Sequence, residues 1–232
     1  PPPPPPRRTH RRQRHMCIRD RVLRVYLLSR MKTFLYFLSS FLFPGLTWKK
    51  PPKNKQLYLT FDDGPHPVIT PKVLNILDVY DAKATFFCVG ENVKNNGDTY
   101  QEILKRGHKT GNHSFHHVNG WKTPNNDYIS NVKKCAEHVQ SSLFRPPHGK
   151  IKPTQIKVLS KEGYSIIMWT VLTKDYKENG DHKKMLKIAI KKTNPGSIIV
   201  FHDSEKAADN LLHMLPEFLE YFTRKGYTFK TL

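Results

Sequence analysis

The chain has 232 residues and a formal net charge of +20, with 39 Lys/Arg against 19 Asp/Glu. That length holds one large domain with a buried core, and its three cysteines match no zinc or redox spacing and are too few for a disulfide framework. Residues 1–32 carry ten of the basic residues and one acid, Asp20, so +9 is concentrated there and +11 is spread over the rest. The later lysines are scattered, as on a solvated surface, and do not form a dense nucleic-acid-binding run.

Six prolines followed by an Arg-rich run give residues 1–30 the composition of a disordered basic leader or of a misplaced start, with Met31 as an alternative beginning. Thr33 to Phe43 is apolar and ends at Pro44-Gly45. It is short for a membrane-spanning helix and reads as a signal region, a membrane anchor or a docked helix. Membrane association through residues 33–43 and an extracytoplasmic location (periplasmic, cell-envelope or membrane-anchored) are therefore expected. Trp48–Lys55 is rich in Lys and Pro and reads as a linker, which places residues 31–54 outside a domain covering 55–232.

Within that domain β-rich apolar runs recur at 57–61, 84–89, 109–112, 143–144, 165–171, 197–201 and 227–232. Segments with apolar residues at helical spacing separate them: 70–80, 99–106, 125–140, 152–162, 181–192 and 207–225. Pro71 suits a first helical turn, and Gly107, Gly163, Gly196 and Gly226 read as stops. Regular strand–helix alternation predicts an α/β fold with a parallel sheet. Seven strands predict a distorted (β/α) barrel, whose chemistry belongs at the strand C-terminal ends.

The polar clusters fall at those ends. Tyr58-Leu59-Thr60-Phe61 runs into Asp62-Asp63-Gly64-Pro65, two adjacent carboxylates that a cation or a buried cationic partner would make tolerable; alone, the motif also fits a solvated acidic turn. His113 and His117 are four apart, as on one helical turn, and can share a metal, although among twelve histidines such a pair is weak by itself. His116 is expected to face elsewhere. Two histidines and a carboxylate form the donor set of a catalytic zinc site, with Asp63 as third ligand and Asp62 as general base. His202 could supply a proton to a leaving group, Asp175 could hold its tautomer, and Arg145 could pair with Asp62. A strand-end histidine and a surface ion pair are the bland alternatives. Trp169 reads as core, and Tyr176 as core or as the lining of a sugar groove.

From about Leu57 to Leu232 these motifs, in order, resemble the NodB-type polysaccharide deacetylases, carbohydrate esterase family four. Thr60-Phe61-Asp62-Asp63 is similar to the family's base and metal aspartates, and His113-Ser114-Phe115-His116-His117 to its metal histidines. Arg145-Pro146-Pro147-His148-Gly149 resembles its Arg-x-Pro-Tyr-Gly loop. The resemblance implies that Arg145 orients the base and that the N–H at position 148 meets the oxyanion. It further implies that Asp175 tunes His202 as catalytic acid and that Val200 lies near the acetyl methyl. Pro147, His148, Tyr176 and Val200 are the implied substrate contacts. The implied cofactor is a divalent metal, zinc first, with cobalt or nickel as alternatives. The implied partner is an acetylated glycan, peptidoglycan or a chitin-like oligosaccharide, and no nucleic acid. Departures from the pattern are His148 for Tyr, Tyr176 for Trp, Val200 for Leu, and Leu172 where many relatives carry Asp.

Two readings of other classes remain at this point: a catalytically silent carbohydrate-binding protein on the same fold, and a nucleic-acid binder whose affinity would reside in residues 1–32. No G-x-S-x-G nucleophile elbow supports a serine hydrolase.

Overall fold

The computed structural model describes residue 1, residues 45–52 and residues 54–232. The basic leader and the apolar segment 33–43 lie outside the described residues, and so does the membrane association expected of that segment. Among the described residues no helix is long and apolar enough to cross a membrane.

The elements run β1 (Leu46–Thr47), β2 (Gln56–Asp62), α1 (Ile69–Val79), β3 (Ala84–Cys88), α2 (Gly90–Asn95), α3 (Gly97–Lys105), β4 (Lys109–Asn112) and α4 (Asn125–Ala136). They continue with β5 (Leu143–Phe144), α5 (Pro153–Lys161), β6 (Ser165–Ile167), β7 (Val171–Leu172), α6 (His182–Lys192), β8 (Ile198–His202), α7 (Ala208–Arg224) and β9 (Thr228–Phe229). The strand order is β1-β6-β5-β4-β3-β2-β8-β7, and β9 pairs with β2. Every strand pair is parallel.

That order forces curvature. In a flat sheet, six spacings of ~4.8 Å would put β6 and β7 about 29 Å apart. The four residues from Ile167 to Val171 reach about 14 Å at most, so the sheet curls into a distorted barrel. The same crossing explains why residues 165–171, which read as one strand, are two. Met168 N–H bonds to Thr47 O, whereas Thr170 N–H bonds to Ile198 O, so the two halves pair with opposite ends of the sheet.

Part of the 31–54 stretch expected to lie outside the domain also belongs to the sheet. Leu46 and Thr47 pair with Ile166 and Ile167, and Lys49 bridges Ser197. Two-residue strands carry too little periodicity to be seen in sequence, and β1 is stabilised only by its partner.

Alternation along β2 separates two environments. Leu57, Leu59 and Phe61 face the helices in the main apolar cluster with α1 and α7. Tyr58, Thr60 and Asp62 face the barrel interior. There Phe87, Ile167, Ile198 and Leu232 form a small cluster, and Arg145, the largest fully buried side chain, reaches Thr60 and Asp62. The barrel's centre is thus part apolar plug and part ion pair, and it opens at the strand C-terminal ends.

Candidate active site

The C-terminal ends of β2, β4, β7 and β8 and the loop after β5 surround a cavity of about 380 Å³. Asp62, Asp63, His113, His117, His148 and His202 all line it, as do Tyr176 and Val200. Trp169, expected in the core, is half-buried and lines it too, and Lys206 joins from beyond β8 without any sequence signal.

Asp62 ends β2 pointing inward and is 4% exposed. Arg145 Nη1 donates to its Oδ1 at 2.6 Å and to Thr60 Oγ1 at 2.7 Å; Nε and Nη2 donate to Ile167 O and Met168 O, each at 3.2 Å. The guanidinium lies over Phe87, 4.1 Å from the ring centroid. The surface-pair alternative for Arg145 is therefore excluded: it is wholly buried and holds one Asp62 oxygen.

Strand alternation would send Asp63 away from Asp62. Its φ of +81° breaks the strand and turns the carboxylate into the same cavity. A non-glycine residue in that region is strained and persists only when its surroundings hold it. Here Asn92 Nδ2 donates to Asp63 O at 2.7 Å. Asp203 N–H donates to Asp62 O at 3.1 Å, and Asp203 Oδ1 accepts from Gly64 N–H at 3.1 Å. Asp203 Oδ2 also accepts from Thr70 Oγ1 at 2.5 Å. A side chain at position 64 would put Cβ 2.1 Å from Asp203 Oδ2, so the turn requires glycine for close approach. Burial pushes the Asp203 carboxyl up to about 7 against the hydrogen bond from Thr70. Asp203 and Asn92 carried no assigned role in the sequence; the only signal was an acid adjoining His202.

His113 and His117 lie in the loop after β4, not on a helical turn. Ser114 and His117 have φ of +63° and +52°, and the loop is pinned by Asn side chains. Asn112 Oδ1 accepts from Ser114 N–H, and Asn131 Oδ1 accepts from Phe115 and His116 N–H. Their Nε2 atoms are 3.6 and 3.2 Å from Asp63 Oδ1, and one donor atom from each of the three residues lies within 4.8 Å of the others. His113 Nδ1 is 2.8 Å from Arg145 O, which as an acceptor fixes the tautomer and leaves Nε2 with its lone pair inward. Burial pushes His113 down to about 4, so its imidazole is neutral. Burial works against the Asp63 carboxylate, but His117, His113 and His202 together hold it well below the usual range. An anionic oxygen and two imidazole nitrogens converging on one point fit a divalent cation. His116 faces outward toward Glu91, as expected.

Across the cavity, His202 Nδ1 lies 2.7 Å from Asp175 Oδ1, and its backbone N–H donates to Asp175 Oδ2 at 2.7 Å. Burial opposes the imidazolium, but the Asp175 hydrogen bond and charge, with Asp62 and Asp63 behind it, push His202 up to about 9. Tyr176 packs edge-on against His202 with centroids 5.0 Å apart. Pro147, His148 and Gly149 form a 3₁₀ turn with His148 at φ +58°. Among the described residues the His148 N–H has no protein acceptor, so the turn presents a donor. The His148 ring stands 4.5 Å from that of His117. Its pKa is lowered by burial first, then by His117, with Lys122 and Lys150 adding to the effect. Pro147 is buried beneath the turn, outside the cavity lining.

The family model for polysaccharide deacetylase matches residues 49–167. The chain belongs to the polysaccharide deacetylase family. A peptidoglycan-N-acetylglucosamine deacetylase of Bacillus cereus is 31% identical over 194 residues, 81% of this chain and 91% of that protein. Among solved structures, a Bc1960 peptidoglycan N-acetylglucosamine deacetylase superposes with a TM-score of 0.77 at 29% identity, covering 81% of this chain and 91% of that one. A family-four pseudoenzyme from Bacillus anthracis superposes with a TM-score of 0.71 at 25% identity, covering 82% of this chain and 68% of that one. The family thus joins deacetylases and a protein described as a pseudoenzyme on one barrel, and the side chains in the cavity must separate the two for this member.

Proposed function

We propose that this protein hydrolyses N-acetyl groups from an amino-sugar polymer, releasing acetate and leaving a free amine. The observation that carries the reading is the convergence, in one cavity, of a three-donor cation site, the Asp62–Arg145 pair and the Asp175–His202 pair.

Asp63, His113 and His117 would hold a divalent cation, zinc first, which supplies Lewis-acid polarisation of the acetyl carbonyl and of water. Asp62, held by Arg145 with one oxygen free of that bond, takes the proton of the attacking water. The unpaired N–H of His148 donates to the carbonyl oxygen as it becomes an oxyanion. His202, protonated below about pH 9, gives its proton to the departing amine nitrogen, and Asp175 keeps the ring oriented. The bond broken is the amide C–N; the bond formed is C–O of acetate. Val200 and Leu172, apolar residues of the cavity lining, suit the acetyl methyl. Peptidoglycan is the first substrate, consistent with the names of the relatives above, and chitin-like oligosaccharides are second. A peptidoglycan substrate places the protein outside the cytoplasm.

A silent carbohydrate-binding role is the second reading, favoured by the structural likeness to a pseudoenzyme. The complete donor set and the paired acid and base argue against it.

The test is acetate release by the full chain from N-acetylglucosamine oligomers and from peptidoglycan, after chelation and again after zinc is restored. Release that disappears and returns is expected. Asp62→Asn should keep its metal and lose 10²–10⁴-fold in turnover, the usual worth of a general base. His113→Ala should lose metal. Full activity in Asp62→Asn would remove the assigned base, and unchanged metal content in His113→Ala would remove the ligand set.

A further inference from the structure

Beyond the cavity, the loop between His117 and α4 carries Trp121, which is 58% exposed. Trp48 and Trp169 are both half-buried. A single exposed aromatic residue marks nothing by itself. Trp121, however, is immobilised. Its indole N–H donates to Ile151 O at 3.1 Å, and its backbone N–H to Asn119 Oδ1 at 3.0 Å. The flanking Gly120 N–H donates to Lys150 O, and Gln155 Nε2 donates to Gly120 O at 2.9 Å. Lys150 Nζ sits 3.8 Å from the ring centroid and covers one face, while the residue as a whole stays 58% exposed.

The ring is also close to the chemistry. Its anchor, Ile151, lies two residues beyond Gly149 in the cavity wall, about 7 Å of chain at most, and its own loop leaves the cavity at His117 four residues earlier. Lys122 and Lys150, which flank it, are the cations whose charge reaches His148. A rigid aromatic face loses little entropy when it is covered. The C–H face of a pyranose stacks on such a ring, while the ammonium groups beside it donate hydrogen bonds to hydroxyl and acetyl oxygens.

We infer that Trp121, with Lys150 and Lys122, forms a glycan-binding subsite on the His148 side of the cavity. It would seat a neighbouring N-acetylated pyranose of the same chain while another unit is deacetylated. The inference rests on the proposed substrate class, but its test is one of binding.

The experiment measures, by calorimetry, binding of N-acetylglucosamine dimer and pentamer to the zinc-loaded full chain carrying Asp62→Asn, with and without Trp121→Ala or Trp121→Phe. The pentamer is expected to bind several-fold more tightly than the dimer. Trp121→Ala should weaken the pentamer several-fold and abolish most of the length advantage, as loss of one aromatic contact implies. Trp121→Phe should retain most of it, since a stacking face remains. An unchanged length advantage in Trp121→Ala, or no binding of either oligomer, overturns the subsite. Acetate release by the unsubstituted protein is read separately. Trp121-dependent binding without acetate release overturns the proposed hydrolysis and leaves the subsite standing.

Discussion

Arg145 is the group on which barrel stability and the reading of Asp62 meet, and Arg145→Met tests both. Methionine keeps an apolar stem and removes the charge. The Asp62 carboxylate, 4% exposed, then has no counter-charge, and Ile167 O and Met168 O lose their donors. Removing one partner of a buried ion pair costs about 3–5 kcal/mol. For a domain of this size each kcal/mol moves the melting temperature by roughly 2–4 °C, so a fall on the order of 10 °C is expected. The double variant Arg145→Met/Asp62→Asn leaves no unpaired charge and should be more stable than Arg145→Met alone, with a coupling of about 2 kcal/mol or more. The assay is urea unfolding followed by circular dichroism, with chelator present, on the wild type, both single variants and the double variant. If Arg145→Met lies within about 1 kcal/mol of wild type, or if the two substitutions simply add, then the pair is not the uncompensated-charge system described here.

Two further predictions follow from the cavity's supports. His202 titrates at about 9 in the folded protein against 6.5 ordinarily, so its contribution to stability is fully present below 6.5 and is lost as pH rises through 9. That contribution is about 3 kcal/mol by linkage. Asp175→Asn should flatten this decline in a pH series of unfolding curves and move the alkaline limb of acetate release downward by a unit or more; an unmoved limb would separate the limb from His202. Gly64→Ala drives a Cβ into Asp203 and releases the clamp on Asp63. Zinc affinity, measured by competition with a chromophoric chelator, should fall 10–100-fold, the usual effect of losing a ligand's support. Wild-type affinity in this variant would show that Asp203 does not position Asp63.

Much of the barrel was legible in the chain because its longer elements carry their own period. β2, β3 and β8 are apolar runs that stop at turn residues, and α1, α6 and α7 show amphipathic spacing bounded by Pro or Gly. The motifs were legible because each sits in a short contiguous stretch at a strand end, where a parallel α/β fold gathers its polar groups. β1 was not legible, since two residues have no period, and neither was the break between β6 and β7, since hydropathy does not show that the two halves pair with opposite edges of a sheet. The helical spacing of His113 and His117 singled out two side chains that do converge, but not through a helical turn; a loop held by Asn112 and Asn131 brings them together. The sequence by itself determined which carboxylates and imidazoles gather and on which rim they lie, because residue identity and strand ends are local properties. Only the tertiary structure decided that Asp63 turns toward His113 and His117, that Arg145 is buried against Asp62, and that Asp203 clamps the turn between them. Each of those facts joins residues 83 or more positions apart or rests on a backbone angle that distant partners enforce, and a periodicity carries no information about either.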